Sequence, residues 1–216
     1  MQFSKDVFPS PDGITKFIVN VKPISLQSNR ENKDAVTKAI QMITSTSEII
    51  LTGDIQVVIS WYINEDKRYE TNDSPDIDNI IKPILDSLTG PNGIMVNDCQ
   101  IQSVHCYWCE RYIGLEHIEI EIKYEADMFE EKKSLAFVNV KNGLCMPINI
   151  NIEPASQKLL LDIFEKQLKS RDELVKKSLN PSLARGVLSI QRFFHISHCH
   201  GFSIYKIDYL RKLINS

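Results

Sequence analysis

The chain has 216 residues, 43% of them hydrophobic and 25% charged, and a formal net charge of −3. That balance fits one globular domain, or one domain plus an appendage, and argues against a disordered chain. Apolar runs such as Ile118–Ile122 and Leu159–Leu161 fall far short of the roughly 20 residues that cross a bilayer, so no membrane partner is expected.

In chain order, the N-terminal residues show no basic segment leading into an apolar core, hence no secretion signal. With an odd number of cysteines, five, this points to reduced thiols in the cytoplasm and not to a disulfide framework. Phe17–Val21 is a strand-like run closed by Pro23. Asn32–Ile50 places Ala35, Val36, Ala39, Ile40 and Ile43 at helical spacing. Ile55–Ile63 alternates with period two and is β-branched, which predicts a strand. A polar loop follows from Asn64 to Pro75. Ile77–Leu88 is a second helix, stopped by Thr89-Gly90-Pro91-Asn92-Gly93. Ile101–Trp108 and Leu115–Tyr124 are strands; in the second, Ile118, Ile120 and Ile122 face one way and Glu119, Glu121 and Lys123 the other. The order predicts an α/β domain over residues 1–126, a mixed sheet with two helices packed on it, and leaves strand direction open.

Past Ala126 the character changes. A charged linker, Asp127–Ser134, leads into two short apolar runs around Asn142-Gly143, the signature of a hairpin. Pro154–Leu179 is a helix, a second helical stretch is expected from Ser182 to Phe194, and a third from Tyr205 to Ile214. Residues 127–216 therefore form a basic, mainly helical C-terminal extension. Charge divides at the same place: 11 Lys+Arg against 19 Asp+Glu up to Ala126, then 14 against 9. An acidic front and a basic back are what metal-binding carboxylates in one part and phosphate contacts in the other would give; chance unevenness on a solvated surface would give the same.

The segment that carries chemistry runs from Asp76 to Asp98. Asp76 and Asp78 lie two apart at a loop-to-helix junction, so in extended chain both carboxylates point to one side and reach one hard cation or two neighbouring ones. Lys82 returns to the face of Asp78 one turn later, where an ammonium can contact a scissile phosphate. Asp98, at the start of the next strand, completes the acidic set if that strand pairs beside the helix. Each piece has a plainer reading when taken alone. Asp78 is a routine N-cap, Lys82 a solvated i,i+4 partner of Asp78, and Asn97-Asp98 a turn. Asp86 is assigned a surface or capping role. Pro83 falls in the second turn of the helix, where it removes a hydrogen bond and predicts a late start or a kink.

Asp76-Ile77-Asp78-Asn79, Lys82, Leu85-Asp86 and Leu88, followed by Asn97-Asp98 and Gln100-Ile101, resemble the RusA family of Holliday junction resolvases. Those enzymes show D-[IL]-D-N-x-x-K-x-x-[LF]-D-x-L and then D-D-x-Q-[IV]. Lys22–Arg30 is similar to the family's early P-x-S-x-N stretch, and the resemblance spans about Phe17 to Glu125. It implies a homodimeric α/β endonuclease that cuts branched DNA in recombination and repair with Mg²⁺ or Mn²⁺. Matched residue by residue, Asp76, Asp78 and Asp98 stand at the catalytic metal-binding aspartates and Lys82 at the catalytic lysine. Asn79 and Gln100 stand at supporting positions. Asn97 departs from the pattern, standing where the family often has a first Asp.

Lys67 and Arg68 before the site, and Lys176, Lys177 and Arg185 in the extension, are candidate DNA contacts. The extension is also a candidate surface for a protein partner. His195, His198, Cys199 and His200 crowd into six residues without a well-spaced second pair, so zinc is disfavoured. Cys106 and Cys109 lie three apart in a strand and point to opposite faces, against a redox role. Two other readings remain: a nuclease of the same fold redirected to other DNA in defence or a mobile element, and a non-catalytic DNA-binding or assembly module. The intact Asp76, Asp78, Lys82 and Asp98 set argues against the last.

Overall fold

Alternation is clearest in Ile55–Asn64, where Ile55, Val57, Ile59, Trp61 and Ile63 are all buried and the residues between them are not. In the computed structural model this run is one of the two inner strands of a four-stranded sheet. The structure describes residues 10–22, 24–25, 29–71, 75–111, 114–177, 180, 183 and 192–214. They divide into two compact units, Met1–Phe129 and Glu130–Ser216.

The first unit contains β1 (Ile14–Val19), α1 (Arg30–Thr44), β2 (Ile49–Leu51), β3 (Ile55–Asn64) and α2 (Glu65–Tyr69). It continues with α3 (Ile77–Ser87), a 3₁₀ turn (Asp98–Gln100), β4 (Ile101–Arg111) and β5 (His117–Tyr124). Strand order is β1-β5-β3-β4. β5 runs antiparallel to β1 and to β3, whereas β3 and β4 are parallel. Parallel neighbours need a crossover, and α3 supplies it. α1 and α3 cover one face, where Val36 and Ile40 meet Ile84, Leu85 and Leu88 over Val57, Ile59 and Ile120. A mixed sheet carrying two helices is the architecture that the element order predicts.

Several boundaries differ from the sequence reading, and the expected Asn64–Pro75 loop opens with the short helix α2. β1 starts at Ile14, because Thr15 and Phe17 alternate into the core and the strand pairs as far as Lys123. α1 is capped by the Asn29 side chain, which accepts from Asn32 N at 2.9 Å, and it ends at Thr44. The apolar residues at Ile49 and Ile50 belong to β2 and not to the helix. α3 runs through Pro83 without a late start, with the proline ring buried.

A short strand, β6 (Phe129–Glu131), spans the junction of the two units in sequence. The second unit adds β7 (Leu135–Lys141), β8 (Leu144–Asn149), α4 (Pro154–Lys176), β9 (Phe194–His195), β10 (Ser203–Lys206) and α5 (Ile207–Ile214). The expected hairpin forms: Lys141 pairs with Leu144 across Asn142 and Gly143, at φ 48° and 80°. Both are left-handed, as a two-residue turn of the primed type requires. β10 and β9 complete the order β10-β7-β8-β9, and Leu161, Phe164, Ile207 and Leu210 pack over Ala136, Val138, Met146 and Ile148. The extension thus combines its helices with a sheet that the sequence reading caught only at the hairpin. The expected helix from Tyr205 begins as a strand because Tyr205 pairs with Val138 in the parallel β10–β7 ladder. Phe194, expected to end a helix, pairs with Cys145 instead. The rest of the Ser182–Phe194 stretch lies almost wholly outside the described residues, Arg185 with it. Among the described residues no helix is long and apolar enough to cross a membrane.

Candidate active site

Asp76 is the N-cap of α3 in extended conformation, and Asp78 lies in the first helical turn. Both are exposed. A helix N-terminus carries partial positive charge, so it is a favourable place for carboxylates. Asn79 follows in the same turn, its backbone N–H donating to the Asp76 carbonyl at 3.0 Å. Lys82 lies one turn further along.

The return from α3 fixes the other half of the site. The helix ends at Leu88, whose carbonyl accepts from Ile94 N at 2.8 Å and Met95 N at 3.2 Å. Gly93 has to be glycine: a Cβ there would lie 2.1 Å from the Leu88 carbonyl oxygen. Ile94, Met95 and Val96 are buried and carry the chain to Asn97. Asn97 caps the 3₁₀ turn, its Oδ1 accepting from Cys99 N at 3.0 Å. The residue that departs from the family pattern therefore shapes the turn that presents Asp98.

Gln100 sits beneath this turn, fully buried. Its Oε1 accepts from Val96 N at 2.7 Å and Asn97 N at 3.0 Å. Its Nε2 donates to the carbonyls of Leu51 at 3.0 Å and Gly53 at 2.7 Å. One amide thus ties the turn before β4 to the turn before β3, leaving none of its own polar capacity unmet.

Above it, Lys82 Nζ donates to Asp98 Oδ2 at 2.8 Å and to Asp86 Oδ1 at 2.6 Å. Asp86 first and Asp98 second hold the Lys82 ammonium above the ordinary lysine range. The crossover thus brings together Lys82 and Asp98, which the sequence singled out, and Asp86, which it set aside. The signal for Asp86 was present in the four-residue spacing from Lys82. Asp76 and Asp78 stay at the N-terminal turn, and among the described residues no three His, Cys, Asp or Glu side chains are grouped as a metal site. The donor chemistry, all carboxylate oxygen, fits a hard cation; one of its members, Asp98, is engaged by the lysine.

Lys67 pairs with Glu116 at 2.5 Å and Arg68 with Glu110 at 2.6 Å. The Arg68 guanidinium also lies over the Trp108 ring, 4.9 Å from its centroid. Lys176 ends α4 and Lys177 is its C-cap, both exposed. Cys106 is level with Ile59 and Cys109 with Tyr62, so they occupy opposite faces of the sheet; burial pushes the Cys106 thiol up to about 11. In the second unit, His195 Nδ1 is bonded to Ser197 Oγ at 2.7 Å.

An acidic helix start and a lysine–aspartate pair, joined by a parallel crossover in a mixed sheet, make up the candidate site of this α/β unit. Residues 22–123 match the family model described as Endodeoxyribonuclease RusA. Over those residues, just under half of the chain, it is similar to the RusA family of endodeoxyribonucleases. The match runs from just after β1 to the end of β5 and leaves the second unit outside. No curated protein matches the chain.

Proposed function

We propose that this chain is a Mg²⁺- or Mn²⁺-dependent, structure-selective endodeoxyribonuclease that resolves Holliday junctions or other branched DNA in recombination and repair. It acts in the cytoplasm as a homodimer, one site per strand cut. The observation that carries the reading is the 2.8 Å contact of Lys82 with Asp98, which sets the motif lysine against the motif aspartate across the crossover.

Asp76, Asp78 and Asp98 are the residues that would hold the cation. A bound divalent ion supplies Lewis-acid polarisation of the phosphodiester and activates water for in-line attack. Lys82 contacts the scissile phosphate and offsets the charge that builds on it. Asn79 steadies the acidic turn, and Gln100 fixes the height of Asp98. Lys67 and Arg68, already held by glutamates, contribute less grip on phosphate than free cations would. Lys176, Lys177 and Arg185 are the contacts proposed for the basic second unit, which is also the surface proposed for a protein partner.

The test is incubation with a synthetic four-way junction, a fork and a linear duplex, with and without Mg²⁺. Paired symmetric nicks in the junction, only with the ion, are expected. Equal cutting of linear duplex would instead support a nuclease redirected by its second unit.

A further inference from the structure

We infer that Asp86 is a positioning residue, the one that keeps Lys82 over the site once Asp98 engages a cation; this rests on the nuclease reading above. Lys82 has two carboxylate partners, but their situations differ. Asp98 belongs to a separate turn and is one of the carboxylates assigned to the cation. When it takes that role its charge is shared, and the cation repels the ammonium. Asp86 lies on the same helix as Lys82, one turn on, and its 2.6 Å contact does not depend on what Asp98 does. Without it, a flexible four-carbon stem carrying a well-hydrated charge has ample rotamer freedom to leave the helix face.

Folding does not require the Asp86 carboxylate. The side chain is 54% exposed, and it is the Asp86 backbone carbonyl that accepts from Thr89 Oγ1 at 2.8 Å. A carboxylate that merely decorates the surface would leave turnover alone. One that aims the lysine acts only through it.

The test is single-turnover and steady-state cleavage of a four-way junction by the full chain, with a double-mutant cycle. Asp86→Asn is expected to lower kcat about tenfold or more with KM unchanged, and Asp86→Glu to recover part of the loss. In a Lys82→Ala background, Asp86→Asn should cost nothing further. The Mg²⁺ concentration for half-maximal rate should stay as in the wild type. Wild-type kcat in Asp86→Asn, losses that multiply with Lys82→Ala, or a raised Mg²⁺ requirement that marks Asp86 as a ligand would each overturn the inference. A wild-type chain that cuts no branched DNA would sink the nuclease reading beneath it, an outcome distinct from all three.

Discussion

Asn97 and Gln100 show how a residue's role is decided by bonds that sequence spacing does not display. Read alone, Asn97 is a missing carboxylate; in the fold its amide oxygen caps the turn under Asp98. Gln100 was legible as a motif position, yet its four hydrogen bonds depend on the Leu51–Gly53 turn about fifty residues away in sequence. Replacing it by leucine keeps the volume and removes all four bonds, those from the amides of Val96 and Asn97 and those to the carbonyls of Leu51 and Gly53. We expect Gln100→Leu to destabilise the first unit by about 2–4 kcal/mol, read as a lowered urea midpoint, whereas a change below about 0.5 kcal/mol would contradict the role assigned to it. Lys132, in the second unit, is pulled by burial down to about 8, below the roughly 10.4 of an unfolded lysine. Between those values the unfolded chain binds the extra proton, so stability rises with pH through the window, and the full penalty applies below about 8. Lys132→Met should therefore raise the Tm of that unit at pH 7, by a gain that fades as pH approaches about 10.5. A gain independent of pH would point to packing alone.

At the scale of elements, helix and strand periodicity carried most of the first unit. β3 and α3 were legible because each buries a regular stripe: Val57, Ile59 and Trp61 in one, Ile80, Ile84 and Leu88 in the other. The end of α1 was not, since Ile49 and Ile50 are apolar in either structure, and only β2 decides between them. Strand direction was not legible either, because it follows from α3 closing a parallel crossover between β3 and β4. In the second unit, Tyr205 reads as helical until the β7 ladder claims it. The turn after α3 links fold to site: Gly93→Ala would drive a methyl group into the Leu88 carbonyl. We expect it to cost about 2 kcal/mol or more in stability and to lower cleavage beyond that loss, by displacing Asp98. Normal activity with normal stability would refute the close approach.

At the scale of the whole molecule, the family accounts for residues 22–123, and the basic second unit stands outside that match. Its Lys176, Lys177 and Arg185 contribute to DNA binding if the full chain shows a steeper dependence of affinity on salt than a charge-reversed triple variant does. For every phosphate that the variant no longer neutralises, the slope of log K against log salt should fall by about 0.9. An unchanged slope would remove the unit from the DNA footprint and leave the protein-partner role. Cutting of DNA by three aspartates and a lysine with a divalent cation is measured more directly. Cleavage and binding of one four-way junction should be compared in Mg²⁺ for the wild type, Asp78→Asn and Asp98→Asn. Both variants are expected to bind the junction about as the wild type does, and neither to cut it. A variant that cuts at the wild-type rate would contradict the roles given to these aspartates.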